Sequence, residues 1–244
     1  MTEDSTQATF NELSKLETDF EKAEVQILKY SLGLLKPLYE RRKELVKNIE
    51  NFWAFVLQQA GEDFDQYLTP QDAELIEEVS DILVERDDVD PRTFTITFTF
   101  NENDFMDTTV LAKKFTYIEK KDDAKEGEDS EDITGASRIR YSSTKVPITW
   151  KEGKNLTETT EGSPFSFFTF FDWVGGEDST EKDIFDKAPE LALFFVEELY
   201  PNAVKLYTEA VDDEDDDSDE EEIDLEDDEE EDDEEEPPRK KNRQ

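Results

Sequence analysis

Reactive side chains are unevenly supplied in this chain. It has no histidine and no cysteine. Imidazole bases, Ser-His-Asp triads, thiol nucleophiles, thiolate metal sites and disulfides are therefore excluded. Carboxylate is what it has in excess: 68 Asp and Glu against 27 Lys and Arg, a net charge of −41 over 244 residues. Paired carboxylates can serve as general acid and base, as in glycoside hydrolysis. No pocket motif and no Gly-rich phosphate loop accompanies them. The spacing from Asp213 approximates a calcium loop. However, Ser218 stands where the sharp turn requires Gly, and Asp224 where a bidentate Glu is required. The expectation is a protein that is not an enzyme, with no catalytic residue, no cofactor and no metal.

The charge is concentrated at one end. Of the 25 residues from Asp212 to Glu236, only Ser218, Ile223 and Leu225 are not acidic, giving −22. The last eight residues carry +4 from Arg239, Lys240, Lys241 and Arg243, which leaves −23 on residues 1–211. Like-charge runs of this density are solvated and disordered. A flexible polyanion suits a partner with Lys/Arg-rich tails. Strong direct DNA binding is not expected from it. The basic cluster after Pro237-Pro238 has the form of a nuclear-import signal. No apolar run approaches the roughly 20 residues that span a bilayer. Met1 to Phe10 is polar and lacks the pattern of a signal peptide. A soluble intracellular protein with no membrane partner is expected, and Asn155-Leu156-Thr157 is then a chance glycosylation match.

The elements around these charges divide the chain into residues 1–58, 59–211 and 212–244. In the first part, apolar residues recur at Leu13, Leu16, Phe20, Ala23, Ile27, Tyr30 and Leu34, in alternating steps of three and four. This is a heptad seam on a long helix. It continues at Leu38, Leu45, Ile49 and Phe52 after a stutter. Pro37 coincides with the stutter and predicts a kink or break. The stripe is narrower than the face of an ordinary core helix. No second helix of matching length is evident, so the expected partner is another copy, in a two-fold dimer.

In the second part, Thr69-Pro70-Gln71-Asp72 reads as the start of a short helix, with Thr as N-cap. Thr93 to Phe100 alternates strictly and predicts a strand with Phe94, Ile96, Phe98 and Phe100 on one face. Val110 to Ile118 completes an antiparallel hairpin. Glu119 to Ser137 reads as a charged loop, and Arg138 to Trp150 as another strand. Helices are expected from Ser163-Pro164, carrying Phe165 to Trp173, and from Pro189 to Tyr200-Pro201. All 18 Phe and 3 Trp precede the tail, so this body can build a core. The fold class is α+β, with an antiparallel sheet and helices.

Several strings then carry a resemblance. They are Lys36-Pro37-Leu38-Tyr39-Glu40-Arg41-Arg42 with Asn51-Phe52-Trp53, Phe94 to Asn103, Val110 to Phe115, and Ile148 to Thr157. Ser166 to Phe171, Glu197 to Asn202 and the acidic tail follow in the same order. The chain resembles the nucleosome assembly proteins, and within them the short SET-type branch. The resemblance implies a histone chaperone of the nucleus that binds core histones, of either heterodimeric pair, and mediates nucleosome assembly or disassembly without ATP. It implies a homodimer through the long helix, with an "earmuff" body near each end. It also implies that Glu177, Asp178, Glu181, Asp183, Glu197 and Glu198 lie at or near the histone-facing underside. An alternative is an acidic dimeric scaffold that presents histones to, or positions, a histone-modifying enzyme. The charged stretch Glu119 to Ser137 departs from the family by lengthening a strand connection.

Overall fold

The computed structural model describes residues 3–118, 141–158, 165–175, 185 and 187–220, and the side chains of 3–5 and 213–220 fall outside that set. The loop expected at Glu119 to Ser137 lies outside the described residues. The chain divides into two units, Met1–Tyr207 and Thr208–Gln244.

Helix α1 runs Glu3–Val46, 44 residues, or about 66 Å of rod. Of the kink or break expected at Pro37, the break does not occur: the helix continues through it. The carbonyl that Pro37 leaves without a helical donor belongs to Gly33, and both residues are exposed, so water can serve it. The proline ring also meets no side chain at Gly33. The interruption falls instead after Val46, where Asn51 takes φ 55° and ψ 22°, a left-handed conformation that Asn tolerates. Helix α2, Phe52–Gln58, follows and buries Phe52, Trp53, Ala54, Val56 and Leu57. Its side chains are part of the body's core.

After the short α3, Glu62–Asp65, comes α4, Pro70–Ile76. Thr69 and Asp72 form a capping box: Asp72 N–H donates to Thr69 Oγ1 at 3.2 Å, and Thr69 N–H donates to Asp72 Oδ2 at 2.8 Å. The buried Asp72 carboxylate also accepts from Ser166 Oγ at 2.5 Å and Phe167 N–H at 3.0 Å. One side chain thus joins two helix starts that lie 94 residues apart.

The sheet is antiparallel in the order β1-β2-β3-β4: Val79–Arg86, Phe94–Phe100, Val110–Tyr117 and Tyr141–Ser142. The predicted alternation holds, with Phe94, Ile96, Phe98 and Phe100 all buried. Phe98 pairs with Ile82 on one side and Leu111 on the other, so one face is apolar across three strands. Of the strand expected over Arg138 to Trp150, residues 138–140 lie outside the described set, and the rest forms two strand residues and an isolated bridge between Met106 and Trp150. Its polar groups go elsewhere: Val146 N–H donates to Phe171 O at 2.9 Å, and Thr149 N–H donates to Thr108 Oγ1 at 2.8 Å.

The aromatic run packs on that face as a 3₁₀ helix, Phe167–Asp172, and not as the expected α-helix carrying Phe165 to Trp173. Its proposed start, Ser163-Pro164, lies outside the described residues, and Phe165 is exposed. Three residues per turn eclipse positions i and i+3. Accordingly Phe167 stacks on Phe170 at 13° and Phe168 on Phe171 at 25°. Phe98 contacts Phe167, Phe171 and Phe195 edge-on at 5.2–6.0 Å. Lys113 occupies an inner position of β3 and is fully buried. Its ammonium donates to the carbonyls of Thr144 (2.9 Å), Phe171 (3.0 Å) and Trp173, tying the 3₁₀ helix to the sheet.

The last helical run also differs from expectation. Helix α5, Ala188–Leu193, passes into a π-helical stretch, Phe194–Leu199, and then α6, Tyr200–Glu220. Buried residues recur as Leu191/Ala192, Phe195/Val196, Leu199/Tyr200 and Ala203. A repeat of four drifts around a 3.6-residue helix. The wider π turn corrects the drift and relieves the clash between Pro201 and the preceding turn. The helix therefore does not end at Tyr200-Pro201, and residues 212–220, expected as the start of a disordered tail, are helical. Residues 221–244 lie outside the described set.

Candidate dimerisation and cation-binding surfaces

The body claims only one side of α1. Tyr39 and Val46 pack against the core, and Leu28, Leu32 and Leu35 are half-buried. The predicted stripe faces elsewhere. Leu13, Leu16, Phe20, Ile27, Tyr30, Leu34, Leu38 and Leu45 are 50–73% exposed, and Ile49 is 37% exposed. Ala23 is also exposed. Phe52 does not continue the stripe. It is 4% exposed and sits beside Trp53 (5.3 Å) and Tyr207 (5.0 Å). The turn before Asn51 redirects the chain inward before that position is reached. An apolar strip of this length marks an interaction surface.

The helix is also electrically polar along its length. From Glu3 to Glu24 it carries seven acids and two bases; from Val25 to Val46, two acids and five bases. Antiparallel pairing of two copies sets acidic halves against basic halves, whereas parallel pairing opposes like charges.

Where α1 meets the body, Arg42 lies among three rings. Its guanidinium carbon is 4.2 Å from the Tyr200 ring centroid, 4.9 Å from Tyr39 and 5.4 Å from Trp53. Nη1 donates to the Tyr200 carbonyl. Nη2 and the Trp53 ring N–H are buried without an acceptor among the described residues. Burial raises the Tyr200 phenol above its ordinary pKa. One residue on, Lys43 pairs with Asp81 at 2.9 Å, and that hydrogen bond raises the lysine pKa against the opposing effect of burial. Arg42 and Trp53 stood within the family-like strings, but no local pattern shows that they meet Tyr200.

Glu197 and Glu198 lie on the π turn, both exposed. They are not equivalent. Glu197 contacts Arg86 at 3.5 Å, and Arg86 is held by the Pro91 carbonyl at 2.9 Å. Nearby, Asp90 takes a two-pronged contact from Arg92 (2.9 and 2.7 Å), which lowers its pKa. Glu177, Asp178, Glu181 and Asp183 lie outside the described residues, as do Arg239, Lys240, Lys241 and Arg243. Among the described residues no group of acidic side chains has the geometry of a metal site, and no helix is long and apolar enough to cross a membrane.

Fold and surface together define an acidic α+β body carried on a long helix with an uncovered apolar seam. The nucleosome assembly protein (NAP) family profile matches residues 43–164, and the chain belongs to that family. A Schizosaccharomyces pombe relative named for nucleosome assembly is 42% identical over 84% of this chain and 81% of its own. Protein SET of Drosophila melanogaster is 31% identical over 77% of this chain and 66% of its own. The solved structure of the Vps75 histone chaperone covers 85% of this chain and 99% of its own, with a TM-score of 0.63 and 26% identity. The SET-like resemblance and the α+β architecture expected from the sequence are thereby established.

Proposed function

We propose that this chain is a nuclear, homodimeric histone chaperone that escorts core histones onto or off DNA without ATP. The observation that carries the reading is the coexistence of an apolar seam uncovered over most of α1 with a net charge of −41. The seam needs a second copy. The charge needs a cationic client, and family membership supplies the chemical class of that client. The working parts are carboxylates: exposed ones on the body, such as Glu198, and the run from Asp212 to Glu236. They engage histone Lys and Arg and compete with phosphate, which lowers non-specific association and leaves specific deposition intact. Such exchange is driven by relative affinity and requires no bound nucleotide. The terminal basic cluster supplies nuclear entry.

The test is direct. Full-length protein mixed with core histones at moderate salt should sediment as a defined complex and deposit them on DNA without ATP. Removing Glu221 to Glu236 takes away 14 charges and spares α6. Binding should weaken but persist, with the larger loss at low salt, where charge is least screened. A truncated protein that binds no histone at any salt would refute a role for the body.

A further inference from the structure

The body lies along one stripe of the second half of α1, where Val25, Leu28, Leu32 and Leu35 are half-buried, and its directional contacts cluster between Tyr39 and Val46. Among the described residues, Tyr39 and Val46 are its members that pack on the core. Its direct ion pair and long-range hydrogen bond to the body come from Lys43 and Arg42. All four fall within about 11 Å of helix. Leu13, where the exposed seam begins, is about 39 Å further along the rod. A rotation of about 10° at the clasp therefore moves that end of the seam by roughly 7 Å.

The four contacts differ in what they can fix. Tyr39 and Val46 make apolar contacts, which are not directional. Lys43 and Asp81 are partly exposed, with 38% and 28% of their side-chain surfaces accessible, so their pairing is weakly constraining. Arg42 is different. Its planar group meets rings from α1, α2 and the start of α6, and also a carbonyl of the last. Trp53 and Tyr200 are parallel to within 1°. Among the described residues no carboxylate pairs with the guanidinium, and Nη2 goes without an acceptor. The arrangement is thus maintained by the fit of a plane among rings, a contact with a defined orientation.

We propose that Arg42 is the positioning residue that sets the angle between the dimerisation helix and the body, and so the spacing of the two bodies across the dimer. This rests on the dimeric reading above and adds to it a device for presenting two acidic surfaces at a fixed separation.

The chain has no cysteine, so Val89→Cys, at the 81% exposed tip of the β1–β2 hairpin, gives one spin-label site per subunit of the full-length protein. The labelled parent should show a single narrow intersubunit distance. Arg42→Met should shift or broaden it by about 5–10 Å while sedimentation still reports a dimer, and Arg42→Lys should fall between. Val46→Ala, which weakens the same clasp without touching the guanidinium, should lower the melting temperature and leave the distance unchanged. A folded Arg42→Met dimer with the parent's distribution overturns the proposal, as does equal broadening in Val46→Ala. If Arg42→Met does not fold, Arg42→Lys is judged by the same two outcomes. A parent with no intersubunit distance overturns the dimeric reading instead.

Discussion

Replacing Leu16, Ile27 and Leu34 together by Glu should dissolve the dimer and leave the body folded. These side chains keep 50%, 67% and 57% of their surface exposed in the single chain, and that remainder is what a second copy would cover. Full burial of such a side chain is worth about 1.5–3 kcal/mol, so the uncovered part is worth about 1–1.5 kcal/mol each. Each occurs twice in a two-fold dimer, which gives about 6–9 kcal/mol, or roughly four to six powers of ten in dissociation constant. Unpaired carboxylates facing one another in the seam add to this. None of the three belongs to the core cluster. The near-ultraviolet signal of Trp53, Trp150 and Trp173 should therefore survive, while helicity is lost from the first half of α1, where residues 6–24 are exposed on every side. Sedimentation equilibrium at micromolar concentration is the assay. A triple variant that remains a dimer there, with parental helicity, would show that the seam is not the interface.

Other expectations follow from single contacts. Gly175 has φ +56°, and a Cβ there would lie 2.2 Å from the Trp173 ring and 2.9 Å from the Tyr141 carbonyl. Gly175→Ala should lower stability by about 2–4 kcal/mol in denaturant unfolding, from strain and overpacking combined. Burial raises Tyr141 to about 12 and raises Tyr200 as well, and the Asp81 bond raises Lys43. Groups whose folded pKa exceeds the unfolded one contribute fully below the unfolded value. Stability should therefore hold through neutral pH and fall between about pH 10 and 12, as a pH series of melting temperatures would reveal; a flat profile there contradicts the tyrosine burial. In a chain lacking Glu221 to Glu236, Glu198→Lys should reduce histone affinity with little effect on melting. Glu197→Lys should also lower the melting temperature, because it sets a cation against Arg86; equal melting of the two would refute that distinction.

How far the sequence reaches depends on the separation of the partners. The seam on α1, the alternation of β2 and the Thr69–Asp72 box are local patterns, and each was legible because residues two to four positions apart share a face or a hydrogen bond. Misreadings began where a local rule met a distant constraint. Pro201 signals a helix end, yet the four-residue burial repeat on either side of it requires the helix to continue, and a π turn reconciles the two. The aromatic run from Phe165 was compatible with several helices, and edge-on and tilted packing against Phe98, Phe115 and Phe195 selects the 3₁₀ form. Phe52 keeps the heptad spacing, but a left-handed Asn51 turns it into the core.

The surfaces show the same limit more sharply. Periodicity locates an apolar seam because an uncovered stripe is a property of one helix. It cannot say which carboxylates are free, because the answer for Glu197 is an arginine 111 residues away. Nor can it find Arg42, whose acceptor is 158 residues distant. Composition is compatible with a cationic client, and periodicity predicts a second copy. On the proposal above, the angle at which two copies present their acids is set by contacts between α1, α2 and α6, which no stretch of sequence contains by itself. A family-like string such as Tyr39 to Arg42 with Trp53 therefore carries a physical meaning, the clasp, that emerges only when Tyr200 is brought against it.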